Sequence, residues 1–192
     1  MVIDRPFQSE FEFEQLEELP ADSSKRIFYP GAVESGGQDG VNVRLIPRQG
    51  EAWIGTFARG RFGPKTITGI FTMPNPDELC VIAGGQAYIL NVKNPRNYET
   101  PAIVPVIDVR FSENYRIIIL ANHTELMAIG ASGFVWRTER LSWDSLKLST
   151  ITDETLSGVF WDIQSESEQS FSVNLADGTH TGGATLPIQP HI

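Results

Sequence analysis

Three copies of one local pattern lie between Gly69 and Gly183, and this repetition constrains the fold more than any other feature of the chain. Each copy has an apolar, β-branched run, a polar turn, a second apolar run, a turn of small residues and a third run. Short apolar runs bounded by turn signals are typical of strands, so the pattern predicts antiparallel β-meanders. The copies read GIFTMPNPDELCVIAGGQAYILNV, PVIDVRFSENYRIIILANHTELMAIG and TLSGVFWDIQSESEQSFSVNLADGTHTGG.

Each copy carries its own turn signal. Gly84-Gly85 separates two apolar runs in the first copy, and two-residue hairpin turns need the positive φ that glycine adopts readily. Asn122-His123 has this place in the second copy, where asparagine tolerates the left-handed region, and Asp177-Gly178 has it in the third. Three independent hairpins predict an all-β fold.

The chain is interpreted as a single all-β domain over residues 1–192, with the repeated meander core at 69–183. Its 192 residues can bury a substantial core without disulfide staples. Meanders recurring every 40 to 50 residues are typical of propeller blades, but the region before Gly69 does not clearly repeat the unit. Two architectures stay open, a small or incomplete propeller-like stack and a two-sheet sandwich.

Residues 1–26 form an acidic N-terminal segment. Its Glu-Phe-Glu-Phe-Glu alternation predicts a strand with Phe11 and Phe13 on one face, which ends in a turn near Pro20. A loop rich in glycine follows over residues 29–40, and Val41 to Phe57 should then form two strands broken at residues 47–50.

Residues 134–152 interrupt the repeat and could form a strand followed by a helical turn or by another strand. This part of the chain and the third copy together carry a spaced set of residues that resembles small uncharacterised bacterial β-rich proteins. The resemblance covers about 50 residues and implies a stand-alone domain; it transfers no activity. The set is Trp136-Arg137-Thr138, Ser142-Trp143-Asp144-x-Leu146, Leu156-x-Gly158-x-x-Trp161-Asp162, Phe171-x-Val173-x-Leu175-x-x-Gly178 and Gly182-Gly183.

The charge balance excludes some partners. The formal net charge is -9, with 24 acidic and 15 basic residues, which argues against nucleic acid and against an anionic membrane surface. Cys80 is the single cysteine, so an intrachain disulfide is impossible. The N-terminus lacks the basic start and apolar run of a signal peptide. We therefore expect a cytoplasmic protein.

No residue pattern predicts a cofactor, a metal site or a catalytic centre. His123, His180 and His191 lack the spacing that points two imidazoles at one metal. The Gly-x-Ser-x-Gly elbow of serine hydrolases is absent. Cys80 lies in an apolar strand, where a thiol is usually inert with a raised pKa. A non-enzymatic protein is therefore the favoured interpretation.

Two further functions remain open. Asp108, Asp144 and Asp162 lie near aromatic residues, which allows a hydrolase or a carbohydrate-binding protein if two of these carboxylates share a cleft. Small size and acidity would also suit an immunity or antitoxin-like protein.

The leading hypothesis is a domain that binds a protein partner or associates with itself. Tryptophan and arginine are enriched at protein interfaces because they offer large contact area and pair with carboxylates. The alternative for the tryptophans is that they fill the core of the sheets. The candidate binding residues are Trp136, Arg137, Arg140, Trp143, Asp144, Trp161 and His180.

Overall fold

A computed structural model describes residues 1–21, 25–30, 32, 40–63 and 65–184. Over these residues the chain is all-β, as predicted, with strands and no helix. The strands are β1 (Val2–Asp4), β2 (Phe11–Leu16), β3 (Lys25–Phe28), β4 (Gly40–Pro47), β5 (Trp53–Ala58), β6 (Gly69–Thr72), β7 (Glu78–Ala83), β8 (Gln86–Asn91), β9 (Tyr98–Glu99), β10 (Asp108–Ser112), β11 (Ile117–Ala121), β12 (Leu126–Gly130), β13 (Gly133–Arg137), β14 (Lys147–Ile151), β15 (Thr155–Asp162), β16 (Ser167–Asn174) and β17 (His180–Gly182).

The strands form four sheets that follow one another along the chain, except that the first strand, β1, belongs to sheet 2. Sheet 1 has the order β2-β4-β5-β3, and sheet 2 has the order β1-β6-β7-β8-β9. Sheet 3 is the meander β10-β11-β12-β13, and sheet 4 is the meander β14-β15-β16-β17. All strand pairs are antiparallel except β1 with β6 and β3 with β5.

The sheets stack face to face, and each of the three interfaces holds one buried apolar cluster. Leu45 and Phe57 of sheet 1 pack with strands of sheet 2. The opposite face of sheet 2 packs on sheet 3, where Ile118 contributes, and Ile119 on the other face of sheet 3 packs with sheet 4. Within the described ranges no buried cluster joins sheet 4 to sheet 1. The stack is therefore open and propeller-like, which excludes the two-sheet sandwich.

Burial explains why the strands of different sheets have different sequence patterns. The middle sheets are covered on both faces, so β7, β11 and β12 are nearly continuous apolar runs. The end sheets are covered on one face, so β2, β4 and β15 alternate between buried residues and partly or fully exposed ones.

The predicted strands of the N-terminal third are present. Phe11 and Phe13 are buried on the inner face of sheet 1, whereas Glu12 and Glu14 face outward. β4 and β5 match the two strands predicted over Val41 to Phe57. The predicted glycine-rich loop lies largely outside the described residues. Sheet 1 also corrects the expectation about the repeat, because the region before Gly69 does form a four-stranded sheet, with a different strand order.

The apparent interruption at residues 134–152 is also corrected. This segment supplies β13, which completes sheet 3, then a connector over residues 138–146, and then β14, which begins sheet 4. The third copy of the sequence pattern begins at β15, which is the second strand of sheet 4, and so it omits β14. A bulge at Val135 breaks the apolar period of β13, and β14 carries polar, exposed residues, so both strands have a weaker pattern than the central strands.

The three predicted hairpin turns form, although one of them is stabilised by side-chain hydrogen bonds and not by a positive φ. Gly84, Gly85 and Gly178 have φ angles of 54°, 82° and 74°, as the turn geometry requires. Asn122 does not have a positive φ. Its Oδ1 instead accepts hydrogen bonds from the backbone N–H groups of Thr124 (2.8 Å) and Glu125 (2.9 Å), which holds the turn through the side chain.

Candidate binding surface

Trp136 is a core residue between sheets 3 and 4. Its side chain is 5% exposed, and its Nε1–H donates a hydrogen bond to the Leu175 carbonyl at 2.9 Å. A Cβ on Gly178 would lie 2.8 Å from the indole ring, so the turn after β16 closes tightly over it. The candidate assignment of Trp136 to a contact surface is therefore corrected, since a buried indole with a satisfied N–H fills the core.

Arg137 follows Trp136 on β13 and points to the surface. Its Nε and Nη2 donate to the two carboxylate oxygens of Glu125 at 2.7 and 2.5 Å. These hydrogen bonds hold the pKa of the Glu125 carboxyl below its usual range, against the opposing effect of burial. They also raise the pKa of the Arg137 guanidinium. The bidentate pair fixes the end of β13 against the β11–β12 turn.

Arg140 and Trp143 form a cation–π pair on the connector. The guanidinium carbon of Arg140 lies 5.0 Å from the centroid of the Trp143 ring. Arg140 is exposed and Trp143 is half-buried, and neither belongs to a core cluster. The pair therefore leaves a planar cation and part of an indole ring accessible to solvent.

The connector is held in one conformation by the turn between β11 and β12. The Thr124 carbonyl accepts hydrogen bonds from the N–H groups of Leu141 (2.7 Å) and Ser142 (3.2 Å), and the His123 carbonyl accepts one from Leu146 (3.2 Å). Leu141 and Leu146 are buried in the cluster between sheets 3 and 4. The apolar anchors and the backbone bonds thus fix the chain on both sides of Trp143.

Asp144 and His123 lie next to the Arg140–Trp143 pair. Oδ1 of Asp144 is 3.8 Å from Nδ1 of His123, with the Asp144 side chain 83% exposed. The Ser142 hydroxyl donates to the Asp144 carbonyl at 2.6 Å, so the predicted turn at Ser142-Trp143-Asp144 uses a side-chain hydrogen bond. Asp144 is a solvated carboxylate at the edge of the surface.

Trp161 and His180 lie elsewhere on sheet 4. Trp161 is 49% exposed and is paired across the sheet with Glu168 on the outer face. His180 begins the edge strand β17, with Nδ1 2.8 Å from the Gly182 carbonyl. In the described part of the chain, neither residue forms a hydrogen bond, an ion pair or a ring contact with Arg140 or Trp143. His191, the third histidine, lies outside the described residues.

The structure brings together four of the seven candidate residues, Arg137, Arg140, Trp143 and Asp144. We call the surface formed by these four, with His123 and Glu125, the connector surface. His123 and Glu125 were not predicted as binding residues, although their β11–β12 turn was identified. The opposite charges of Glu125 and Arg137 could have indicated an ion pair. Their contact, however, depends on the register between β12 and β13, which the sequence alone does not determine.

Comparisons with known proteins identify no family for this chain. No family model matches it, and no match was found among curated proteins. Among solved structures, the crystal structure of the N-terminal domain of Nup159 is similar at 14% identity and a TM-score of 0.43, over 97% of this chain and 55% of that chain. A second similar chain comes from the structure of an S. cerevisiae Dbp5 variant bound to Nup159, a Gle1 variant, IP6 and ADP. Its identity is 14% and its TM-score is 0.42, over 98% of this chain and 55% of that chain. The chain thus spans about half the length of these structures.

The described residues contain no group of three or more His, Cys, Asp or Glu side chains arranged to hold a metal ion. They also contain no helix with the length and apolarity that crossing a bilayer requires.

Proposed function

We propose that this protein is a binding domain that contacts a protein partner through the connector surface. The observation that carries the proposal is the exposed Arg140 guanidinium, which lies over the half-buried ring of Trp143 at 5.0 Å. The fold does not need this pair for its core, because the buried anchors of the connector are Leu141 and Leu146. An arginine and a tryptophan held on the surface have the chemistry of interface hot spots.

The conformation of the connector supports the same function. Ordering a loop during binding lowers affinity, and a loop that is already ordered avoids this cost. Here the hydrogen bonds to Thr124 and His123 order the connector before any partner arrives. The Arg137–Glu125 pair at the edge of the surface adds fixed charges that a partner can recognise.

The geometry does not favour the hydrolase alternative. Hydrogen bonds from the Ser165 hydroxyl and backbone lower the pKa of the Asp162 carboxyl, which is the opposite of what a general acid needs. Asp108 is in an ion pair with Arg110 at 3.0 Å. Asp144 is on the connector and Asp162 is at the end of β15, and neither carboxylate has the other as a partner within the described chain.

Affinity capture on the full chain tests the proposal. The immobilised protein and its Arg140→Ala/Trp143→Ala variant are exposed to lysate of the source organism, and the retained proteins are quantified by mass spectrometry. Trp161→Ala is the matched control, because it removes an exposed tryptophan from another surface. We expect a defined protein to be retained by the native chain and the control but lost from the double variant. Equal retention by all three chains would contradict the proposal.

Self-association is tested by sedimentation at micromolar concentration. An oligomer that dissociates in the double variant, but not in Trp161→Ala, would make a second copy the partner at the connector surface. An oligomer unaffected by both changes would place self-association on another surface.

A further inference from the structure

A groove lies at the opposite end of β11 from the connector surface. It runs between the ends of sheets 3 and 4 and has a volume of about 300 Å³. A second groove of about 430 Å³ lies on the other side of Arg116, which lines both. The first groove is lined by Tyr115, Arg116, Ile117, Gly130, Ala131, Ser132, Gly133, Phe134, Val135, Leu175 and Ala176.

The wall of the first groove exposes two successive apolar side chains. Phe134 is 66% exposed and Val135 is 44% exposed. The register of β13 explains this, because Phe134 pairs with Ile129 and Trp136 pairs with Ala128, which leaves Val135 as the extra residue of a bulge. Bulges redirect side chains and are common beside functional sites. With this bulge, Trp136 points into the core, whereas Val135 and Arg137 on either side of it lie at the surface.

Arg116 places a positive charge where the two grooves meet. Its Nη2 donates a hydrogen bond to the Pro74 carbonyl at 3.0 Å, and no carboxylate among the described residues lies within ion-pair distance of it. The backbone of Arg116 has a φ of 50°, a region that non-glycine residues rarely adopt. Glu10 and Glu113 line the second groove together with Arg116, but among the described residues neither forms an ion pair with it, so the turn holds an arginine that is open to an added carboxylate beside exposed apolar side chains.

We propose that the groove binds an extended peptide segment of a partner in which a large apolar side chain lies near a carboxylate. The apolar side chain packs on Phe134 and Val135, and the carboxylate pairs with the Arg116 guanidinium. Charge complementarity selects this occupant, because Arg116 can form up to two parallel hydrogen bonds with a carboxylate. The chain has a net charge of -9, so basic side chains are in the minority. A cation beside the apolar wall of the groove therefore fixes where the carboxylate of the peptide can bind.

Selection of peptides from a phage-displayed library of random 12-residue sequences tests the proposal. The full chain is the target, and the dissociation constant of an enriched peptide is measured by fluorescence anisotropy. We expect the enriched peptides to share an Asp or Glu within a few residues of Phe, Leu, Ile or Trp. Arg116→Gln should weaken binding about tenfold, the usual order for one lost charge-assisted pair. Phe134→Ser should weaken it as well.

Arg96→Gln is the matched control, because it removes the same charge from another exposed turn at this end of the sheets. It should change the dissociation constant less than about twofold, as expected for a charge without a contact. Replacing the peptide's acidic residue with its amide should cost the same factor as Arg116→Gln, and the two changes together should cost no more than one.

Several results would overturn the proposal. Enriched peptides without an acidic residue would do so, and so would binding equally sensitive to Arg96→Gln and Arg116→Gln. A selection that enriches no sequence would contradict a peptide-binding groove. Loss of a dimer on Arg116→Gln, without peptide binding, would show instead that the groove contacts a second copy of the chain.

Discussion

The indole N–H of Trp136 on sheet 3 donates a hydrogen bond to the carbonyl of Leu175, which follows the last long strand of sheet 4, at 2.9 Å. This bond lies inside the apolar cluster between the two sheets. It ties the fourth sheet to the rest of the stack by a directional contact as well as by packing.

We predict that Trp136→Phe will lower the free energy of unfolding by about 1 to 3 kcal/mol, because the buried Leu175 carbonyl loses its partner. Urea denaturation followed by circular dichroism measures the change. Trp161→Phe is the control, since Trp161 is exposed, and should change stability by less than about 0.5 kcal/mol. Equal effects of the two substitutions would mean that the Trp136 bond contributes nothing.

Glu166 has a φ of 47° in the turn between β15 and β16. A non-glycine residue in this region costs roughly 1 to 2 kcal/mol, and glycine removes the steric part of that cost. Glycine also raises the conformational entropy of the unfolded chain, which offsets part of this gain. Glu166→Gly should therefore stabilise the protein by up to about 1 kcal/mol in total. Glu154→Gly, in a turn without positive φ, should instead destabilise it. Thermal unfolding of both variants measures the difference, and a lower melting temperature for Glu166→Gly would contradict the expectation.

The Arg137–Glu125 pair predicts a pH dependence of stability. Hydrogen bonding to Arg137 lowers the pKa of the Glu125 carboxyl from its ordinary 4.5. A lowered native-state pKa contributes stability above the unfolded-state pKa, and this contribution is lost as the pH falls through the native-state value. The native chain should thus be more stable than Glu125→Gln at pH 7, and the gap should close below about pH 4. A gap that is constant from pH 7 to pH 3 would contradict the ionic role of Glu125.

Cys80 provides a probe of the interface between sheets 2 and 3. Burial raises the pKa of its thiol to about 12. Because the thiolate is the reactive form, the native protein should react very slowly with 5,5′-dithiobis(2-nitrobenzoate) at pH 8, and denatured protein should react fully. The rate measured in increasing urea should follow unfolding. Rapid reaction without denaturant would show that sheets 2 and 3 separate readily.

The sequence was sufficient to predict the class of fold, since its signals are local. The glycines at 84, 85 and 178 and the alternation around Phe11 each act within one hairpin or one strand. The number of sheets was harder to predict. The bulge at Val135 breaks the period of β13, and the order of the strands in sheet 1 depends on the non-local pairing of β3 with β5.

The candidate site was predicted only in part. The composition of the connector singled out Arg140 and Trp143, but it did not distinguish the buried Trp136 from the half-buried Trp143 and the exposed Trp161. Whether a tryptophan faces the core depends on the register of its strand, and for Trp136 a bulge one residue earlier determines that register. Arg116 gave no signal at all, because its exposure to the two grooves depends on the stacking of the sheets.

Hydrogen exchange on the full chain, alone and saturated with the partner recovered by affinity capture, tests the proposed function most directly. The backbone amides that binding should cover are those of the connector, residues 138–146, and of the β11–β12 turn that holds it. We predict that added protection on binding is largest in these two segments. Unchanged exchange there, with protection on the outer faces of sheets 1 or 4, would contradict the assignment of the connector surface.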